Sequence, residues 1–280
     1  MATTIIAWTD HSWNAGTGCT KVSRGCDNCY AFTLHNRRYA ENVKAALRLG
    51  IGTAPKGTTI AQRARSGGHR LTWPRQYDVP FTRIQAFPDR LRKPYTIKKP
   101  ARIFVNSMSD LFHEGFDDTF VADVFRVMND CPQHTFQILT KRPERAAGWP
   151  GPWTPNIWMG TSVEDQAAAD LRIPHLLRCG AAVRFLSCEP LLAPVRLAPW
   201  IAGLRWVIVG GESGPGFRPM PHEWARAIRD QCADAGVAFF FKQSAAPRTE
   251  MGTALEEPGG SRWQWRQFPD QLTPPVKIAP

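Results

Sequence analysis

Three cysteines, Cys19, Cys26 and Cys29, stand close together in the stretch "GTGCTKVSRGCDNCYAF", spaced C-x6-C-x2-C, with no fourth cysteine beside them. A closed structural zinc site takes four protein ligands, whereas an iron–sulfur cluster that reacts with a small molecule can leave one iron without any. On residue types alone three uses of the thiols stay open. They are buried core cysteines, a zinc ion completed by His11 or His35, and a [4Fe–4S] cluster on three thiolates. The surrounding loop contains Gly16, Gly18, Gly25, Ser23 and Asn28, a composition able to bend several sulfurs toward one region, and this favours the cluster.

A second set of polar residues follows short apolar runs. Six such runs occur at 102–107, 135–141, 157–162, 184–189, 206–213 and 238–243. Near-continuous apolar stretches of this length, rich in Val, Ile and Phe, predict strands buried on both faces. Helix-length segments lie between them. Asp117 or Asp118 is a plausible cap for one, Glu164 opens another, and a third, from Pro221, closes on Gly236. Strand–helix alternation predicts parallel strands with right-handed crossovers. With one more strand expected near Gly16 to Thr20, the fold class is α/β, a partial or complete (β/α) TIM-type barrel. The expected division is a barrel domain over residues 1–245, with a basic insertion at 50–100, and a loosely packed tail over 246–280. Chemistry in such barrels sits at the carboxyl ends of the strands. Those ends carry Asn106, Ser107 and Asp110, then Lys141 and Arg142, then Glu164, Cys188 and Glu189, then Gly210 to Ser213, then Lys242 and Gln243.

Charge is unevenly placed. The chain of 280 residues has a formal net charge of +11. Between Arg63 and Arg102 eleven Lys/Arg face two acids, Asp78 and Asp89, a net of +9. Trp73, Tyr77, Phe81, Phe87 and Tyr95 interleave that run. Basic charge with planar side chains suits phosphate neutralisation and base stacking. Arg90, Arg92, Lys93 and Trp73 are therefore the candidate nucleic-acid contacts, with DNA favoured over RNA; a plain solvated surface is the alternative. No run of eighteen apolar residues occurs, so no membrane helix is expected. The opening "MATTIIAWTDHSWN" lacks the pattern of a secretory signal, and seven cysteines, an odd number, predict reduced thiols in a cytoplasm.

Nearly the whole chain resembles a phage- and bacterial-encoded family of uncharacterised TIM-barrel proteins with an N-terminal three-Cys motif. The stretches that carry the resemblance are "WNAGTGCTKVSRGCDNCYA", "RIFVNSMSDLFHE", "TFQILTKRPER", "RFLSCEPLL" and "VIVGGESGPGFRPM". Some members of that family occur beside a three-Cys-motif partner protein. More distantly the chain resembles the radical S-adenosylmethionine (SAM) superfamily, which carries three cysteines in a loop after the first strand of a partial barrel. Here C-x6-C-x2-C stands in place of the usual C-x3-C-x2-C, and Asn28 stands where an aromatic usually precedes the last cysteine. The resemblance implies a [4Fe–4S] cluster on Cys19, Cys26 and Cys29 with SAM at the open iron. It makes Asn106, Ser107 and Asp110 candidates for SAM's polar groups. "GGES", with Gly210, Gly211 and Glu212, looks like the superfamily's amino-group segment, although it follows a later strand. Glu189 could bind ribose hydroxyls or an amine, and Cys188 could donate a hydrogen atom. The function so implied is a radical-SAM-like enzyme acting on nucleic acid in DNA repair or modification. The alternative is a [4Fe–4S]- or zinc-containing nucleic-acid-binding protein without SAM chemistry.

Overall fold

The computed structural model describes residues 2–278. The chain opens with β1 (Ala2–Thr3), β2 (His11–Trp13) and β3 (Gly16–Thr17), passes the cysteine loop and enters α1 (Tyr30–Arg48). The insertion adds α2 (Ile60–Ser66) and β4 (Gln85–Ala86). A regular series follows: β5 (Arg102–Val105), α3 (Asp118–Asp130), β6 (Thr135–Thr140), α4 (Pro143–Ala147), β7 (Ile157–Ser162), α5 (Gln166–Arg178) and β8 (Val183–Cys188). Next come β9 (Trp206–Gly210), α6 (His222–Asp234) and β10 (Ala238–Gln243), and last β11 (Leu255–Glu256), β12 (Arg262–Gln264) and β13 (Val276–Ile278).

The main sheet runs β1-β2-β5-β6-β7-β8-β9-β10. Seven of its strands are parallel, and β1 lies antiparallel at the edge. β10 is the last strand of this sheet and its far edge is bridged by Arg266 opposite Phe240 rather than by β2, so the sheet is a curled half-barrel flanked by helices. All six predicted runs after residue 100 are strands. The expected strand near Gly16 to Thr20 is corrected. The first parallel strand is His11–Trp13, paired with Ile103 to Val105. Gly16–Thr17 instead forms a two-stranded ribbon with Gln85–Ala86 of the insertion.

Alternation along each strand divides the core into two layers. Ile103, Val105, Ile157, Met159, Val207, Val209, Phe239 and Phe241 belong to the layer packed with the helices. Phe104, Trp158, Phe185, Trp206, Ile208 and Phe240 point the other way and fill the concave side, where Trp8 closes on Phe104 at 4.7 Å between ring centroids. Helix starts follow their caps. Asp117 accepts the Phe120 N–H at 2.7 Å and Asp165 the Ala168 N–H at 2.9 Å.

The tail is better packed than expected. Phe268 lies 5.3 Å from Trp206, the Trp206 indole N–H donates to the Gln267 carbonyl at 2.9 Å, and Leu255 is fully buried. The insertion likewise has a small core, Ala61, Ala64 and Leu71 against Ala46 of α1. Among the described residues no helix is long and apolar enough to cross a membrane.

His35 packs α1 against the insertion. It is fully buried between Tyr77 and Phe81, and its Nε2–H donates to the Val79 carbonyl at 3.0 Å. Burial holds its pKa below the ordinary value, as it does for His113 and His222. On acidification through the ordinary histidine range near pH ~6.5, the unfolded chain takes protons that the folded chain refuses, so stability falls with falling pH. Urea midpoints should drop between pH 7.5 and 5.5. His35→Gln should flatten that drop by up to about 1.4 kcal/mol; an unchanged pH slope in the variant would contradict the assignment.

Candidate functional site

At the carboxyl ends of the strands lies a cavity of about 450 Å³. Cys19, Cys26 and Cys29 form part of its wall, and Asn106, Ser107, Asp110, Lys141, Arg142, Ser162, Ser187, Glu189, Glu212, Lys242 and Gln243 contribute the polar remainder. Trp8, Phe104 and Leu139 provide its apolar part. Most of the polar strand ends named from sequence border this one space, beside the three thiols; Glu164 does not, and is buried in an ion pair with Arg172 at 2.7 Å.

Two arginines hold the cysteine loop against the barrel. Arg142, which follows β6, donates to the Thr20 hydroxyl at 2.8 Å and carbonyl at 3.2 Å, and its Nη1 lies 3.7 Å from the Cys19 sulfur. The same guanidinium reaches Asp110 at 3.3 Å. Asp110 also accepts the Thr140 hydroxyl at 2.6 Å and the Lys141 N–H at 3.0 Å, which ties the end of β5 to that of β6. On the opposite side Arg218 grips Glu212 through Nε at 3.0 Å and Nη2 at 2.5 Å, and reaches Asp27 at 3.2 Å and the Arg24 carbonyl at 2.9 Å. Asn28, between two of the cysteines, donates to Glu212 at 2.8 Å. Burial alone would raise the Glu212 pKa, but the bonds from Arg218 and Asn28 outweigh it and hold the carboxyl below its ordinary range. Arg218 stands in the stretch "VIVGGESGPGFRPM", but only the folded chain brings it to the cysteine loop.

These contacts redistribute the predicted roles. Asp110 and Glu212 are consumed as structural ties, rather than left open for a ligand. In "GGES" the glycines are there for space. A Cβ on Gly211 would fall 2.1 Å from the Ala245 nitrogen, and one on Gly210 2.8 Å from a Glu189 carboxylate oxygen. Gly211 lines the cavity and Gly210 does not. Glu189 does line it, as an ion pair with Lys242 at 2.8 Å that also accepts the Ser187 hydroxyl at 3.1 Å. The proposed hydrogen-atom donor Cys188 is corrected: it is fully buried in the layer under the helices, and Ser187, one residue earlier, faces the cavity. A one-residue step along a strand reverses the face.

Three lining groups are without partners among the described residues: Asn106, Lys141 and the buried indole N–H of Trp8. Asn106 sits in the left-handed region at φ 60°, is 2% exposed, and accepts the Gly16 N–H at 3.3 Å while its Nδ2 has no hydrogen-bond partner. Lys141 lines the cavity without an ion pair among the described residues. Ser107, by contrast, bonds Asn14 at 3.1 Å and accepts the Tyr30 hydroxyl on its carbonyl at 2.7 Å.

Among the described residues no three His, Cys, Asp or Glu side chains converge closely enough to share one metal ion. His11 and His35 do not line the cavity, and the other four cysteines are buried elsewhere. Burial first, then the Asp110 carboxylate, pushes the Cys19 thiol up to about 11 against the pull of Arg142. A metal that takes Cys19 as thiolate therefore displaces a proton.

The nucleic-acid candidates are scattered. Trp73 is half-buried, its indole N–H donating to the Glu41 carboxylate, with Arg38 4.4 Å from its ring and Tyr77 edge-on at 6.3 Å. These contacts occupy the ring expected to stack on a base. Arg90 donates to the Gln76 side chain at 2.6 Å and lies 3.8 Å over Phe87, while Arg92 and Lys93 are exposed.

The family model described as "Protein of unknown function (DUF5131)" matches residues 3–269, and the chain belongs to that family. No curated protein and no solved structure matches the chain.

The Arg218 tie generates a test. Arg218→Ala leaves the buried Glu212 carboxylate without its cation and should cost about 1–3 kcal/mol in urea unfolding. Hydrogen exchange should speed up over residues 19–29. Adding Glu212→Gln should recover part of the loss; an additive double variant would refute the coupling.

Proposed function

We propose that this DUF5131 protein is an iron–sulfur enzyme of radical-SAM type that acts on nucleic acid, DNA in preference to RNA. One observation carries the reading: the three thiols and the unpartnered amide of Asn106 share a single cavity of about 450 Å³. That volume lies within the ~300–1,000 Å³ usual for cofactor and small-molecule sites.

Cys19, Cys26 and Cys29 are the residues that would hold a [4Fe–4S] cluster. When bound, such a cluster supplies a single electron to a sulfonium cofactor at its unliganded iron. Cys29 is the N-cap of α1 and makes no side-chain cap bond, so the uncapped N–H groups of a 19-residue helix favour negative charge at that ligand. Arg142 beside the Cys19 sulfur acts in the same sense.

The remaining residues bind and orient. Asn106 Nδ2 offers a buried donor to a carboxylate or hydroxyl, and Lys141 offers a cation to the same acceptor class. The Glu189–Lys242 pair presents both an acceptor and a donor, which suits ribose hydroxyls or an amine. Trp8, Phe104 and Leu139 offer apolar surface at that end of the cavity.

Purified anaerobically, the protein should contain about four irons and four sulfides per chain, and Cys26→Ala should lose most of both. Incubation with SAM and a strong reductant should yield 5′-deoxyadenosine. Asn106→Asp, which retains an asparagine-like tolerance of positive φ, should weaken SAM binding about tenfold or more in the folded variant, because an acceptor replaces the donor. Stoichiometric zinc without sulfide, or an intact cluster that never turns SAM over, would overturn the reading.

A further inference from the structure

The insertion builds a second concavity, away from the cysteines. A groove of about 1200 Å³ runs between α2 on one side and the segment Gln85 to Arg90 on the other. It exceeds the ~300–1,000 Å³ of ordinary small-molecule sites. Four arginines line it against two aspartates. One of the aspartates is already spent. Asp78 is 2% exposed, ion-pairs with Arg65 and accepts the Asn42 amide at 3.0 Å.

Arg63, Arg75 and Arg90 remain, opposed by Asp89 alone. Arg75 makes no ion pair among the described residues, and Arg63 reaches only the backbone carbonyl of Thr53. Arg90 lies 3.8 Å over the Phe87 ring, so a guanidinium–aromatic stack forms part of the same wall. Exposed Arg83, Arg92 and Lys93 extend the positive field along that segment.

We infer that this groove binds single-stranded nucleic acid, with Arg63 and Arg75 on the phosphates and the Phe87–Arg90 stack against a base. A basic trough with a planar side chain in its wall is the recurring solution for a single strand. The groove also connects to the cysteine loop. Its Gln85–Ala86 wall pairs with Gly16–Thr17, two residues before Cys19. The inference rests on the proposed action on nucleic acid, and narrows it to a strand state and a location.

The test is fluorescence anisotropy with the full chain and a labelled mixed-sequence 20-mer, as single-stranded DNA, as single-stranded RNA and as duplex, from 50 to 200 mM salt. Single strands should bind tighter than duplex, with affinity falling steeply as salt rises. Arg63→Glu/Arg75→Glu should weaken single-strand binding at least tenfold and reduce the salt slope by about 1.4, two phosphate contacts at ~0.7 each. Arg63→Gln/Arg75→Gln should weaken it less, with iron content and melting temperature unchanged in both. Tighter duplex binding, no binding of any oligonucleotide, or full affinity in the charge-reversed variant would overturn the inference. The cluster reading fails separately. Groove-dependent binding without SAM turnover sinks that reading alone, and SAM turnover without oligonucleotide binding sinks this one.

Discussion

Parallel strands buried on both faces leave each side chain one of two destinations, and the rest of the structure depends on that choice. Along β7 all six positions are buried, Ile157 and Met159 toward the helices and Trp158 toward the concave side. The concave side of a half-barrel narrows, so large rings fill it, and Gly160 leaves room for Phe185, whose ring would lie 2.4 Å from a Cβ there. At the carboxyl ends the aromatic filling stops, and the inward positions become Asn106, Ser162, Ser187 and Lys242. The cavity is what the same alternation produces once its inward members turn polar.

The cysteine loop has little apolar surface of its own. Cys19 and Cys29 touch a small cluster of Ala31, Phe81 and Met108, and the rest of the attachment is polar. Such a segment stays in place only if charged groups tie it to something rigid, and strand ends are the rigid points available. Arg142 and Arg218 do this from opposite sides. Each spans a loop carbonyl and a carboxylate anchored at a strand end, Asp110 for one and Glu212 for the other. An arginine is suited to both jobs because its planar fork donates in several directions at once. Polar residues at strand ends therefore divide into those that hold the site together and those left free to meet a ligand, and only contacts distinguish the two.

That division marks how far the sequence could be read. Strands after residue 100 and helices α3, α5 and α6 were legible because apolar runs, the Asp117 cap and Gly236 are local signals, and local signals survive without tertiary context, whereas the five-residue α4 is too short to show a helical period. The first parallel strand was not. His11–Trp13 is three residues long and mixed in character, so no periodicity marks it against the glycine-rich stretch that follows. Cys188 was misplaced by a single step in register that alternation from Leu186 would have corrected. Trp73 looked available because a sequence shows an aromatic among basic residues, but not Arg38 and Glu41 arriving from α1 to cover it. The well-packed tail was hidden by its composition, since Trp265 and Phe268 bury themselves on β10 and Trp206 from an otherwise polar segment.

Asn106 concentrates the argument for function in one residue. Its left-handed backbone is a conformation that few side chains other than glycine and asparagine adopt readily, and its amide nitrogen is buried without an acceptor. Either feature alone is tolerable, yet both oppose folding, since an unpaired buried donor forfeits its bond to water. A glycine would relieve both at once. The asparagine fits a site whose costs in the free protein are offset when a ligand brings the missing acceptor, which is how strained or unsatisfied groups come to gather where binding occurs. Asp110 and Glu212 lie nearby with every oxygen engaged, and they stabilise the fold with or without a ligand. The contrast between satisfied carboxylates and one unsatisfied amide is what turns the cavity from a gap between strand ends into a site with a direction, open toward an acceptor that the protein itself does not supply.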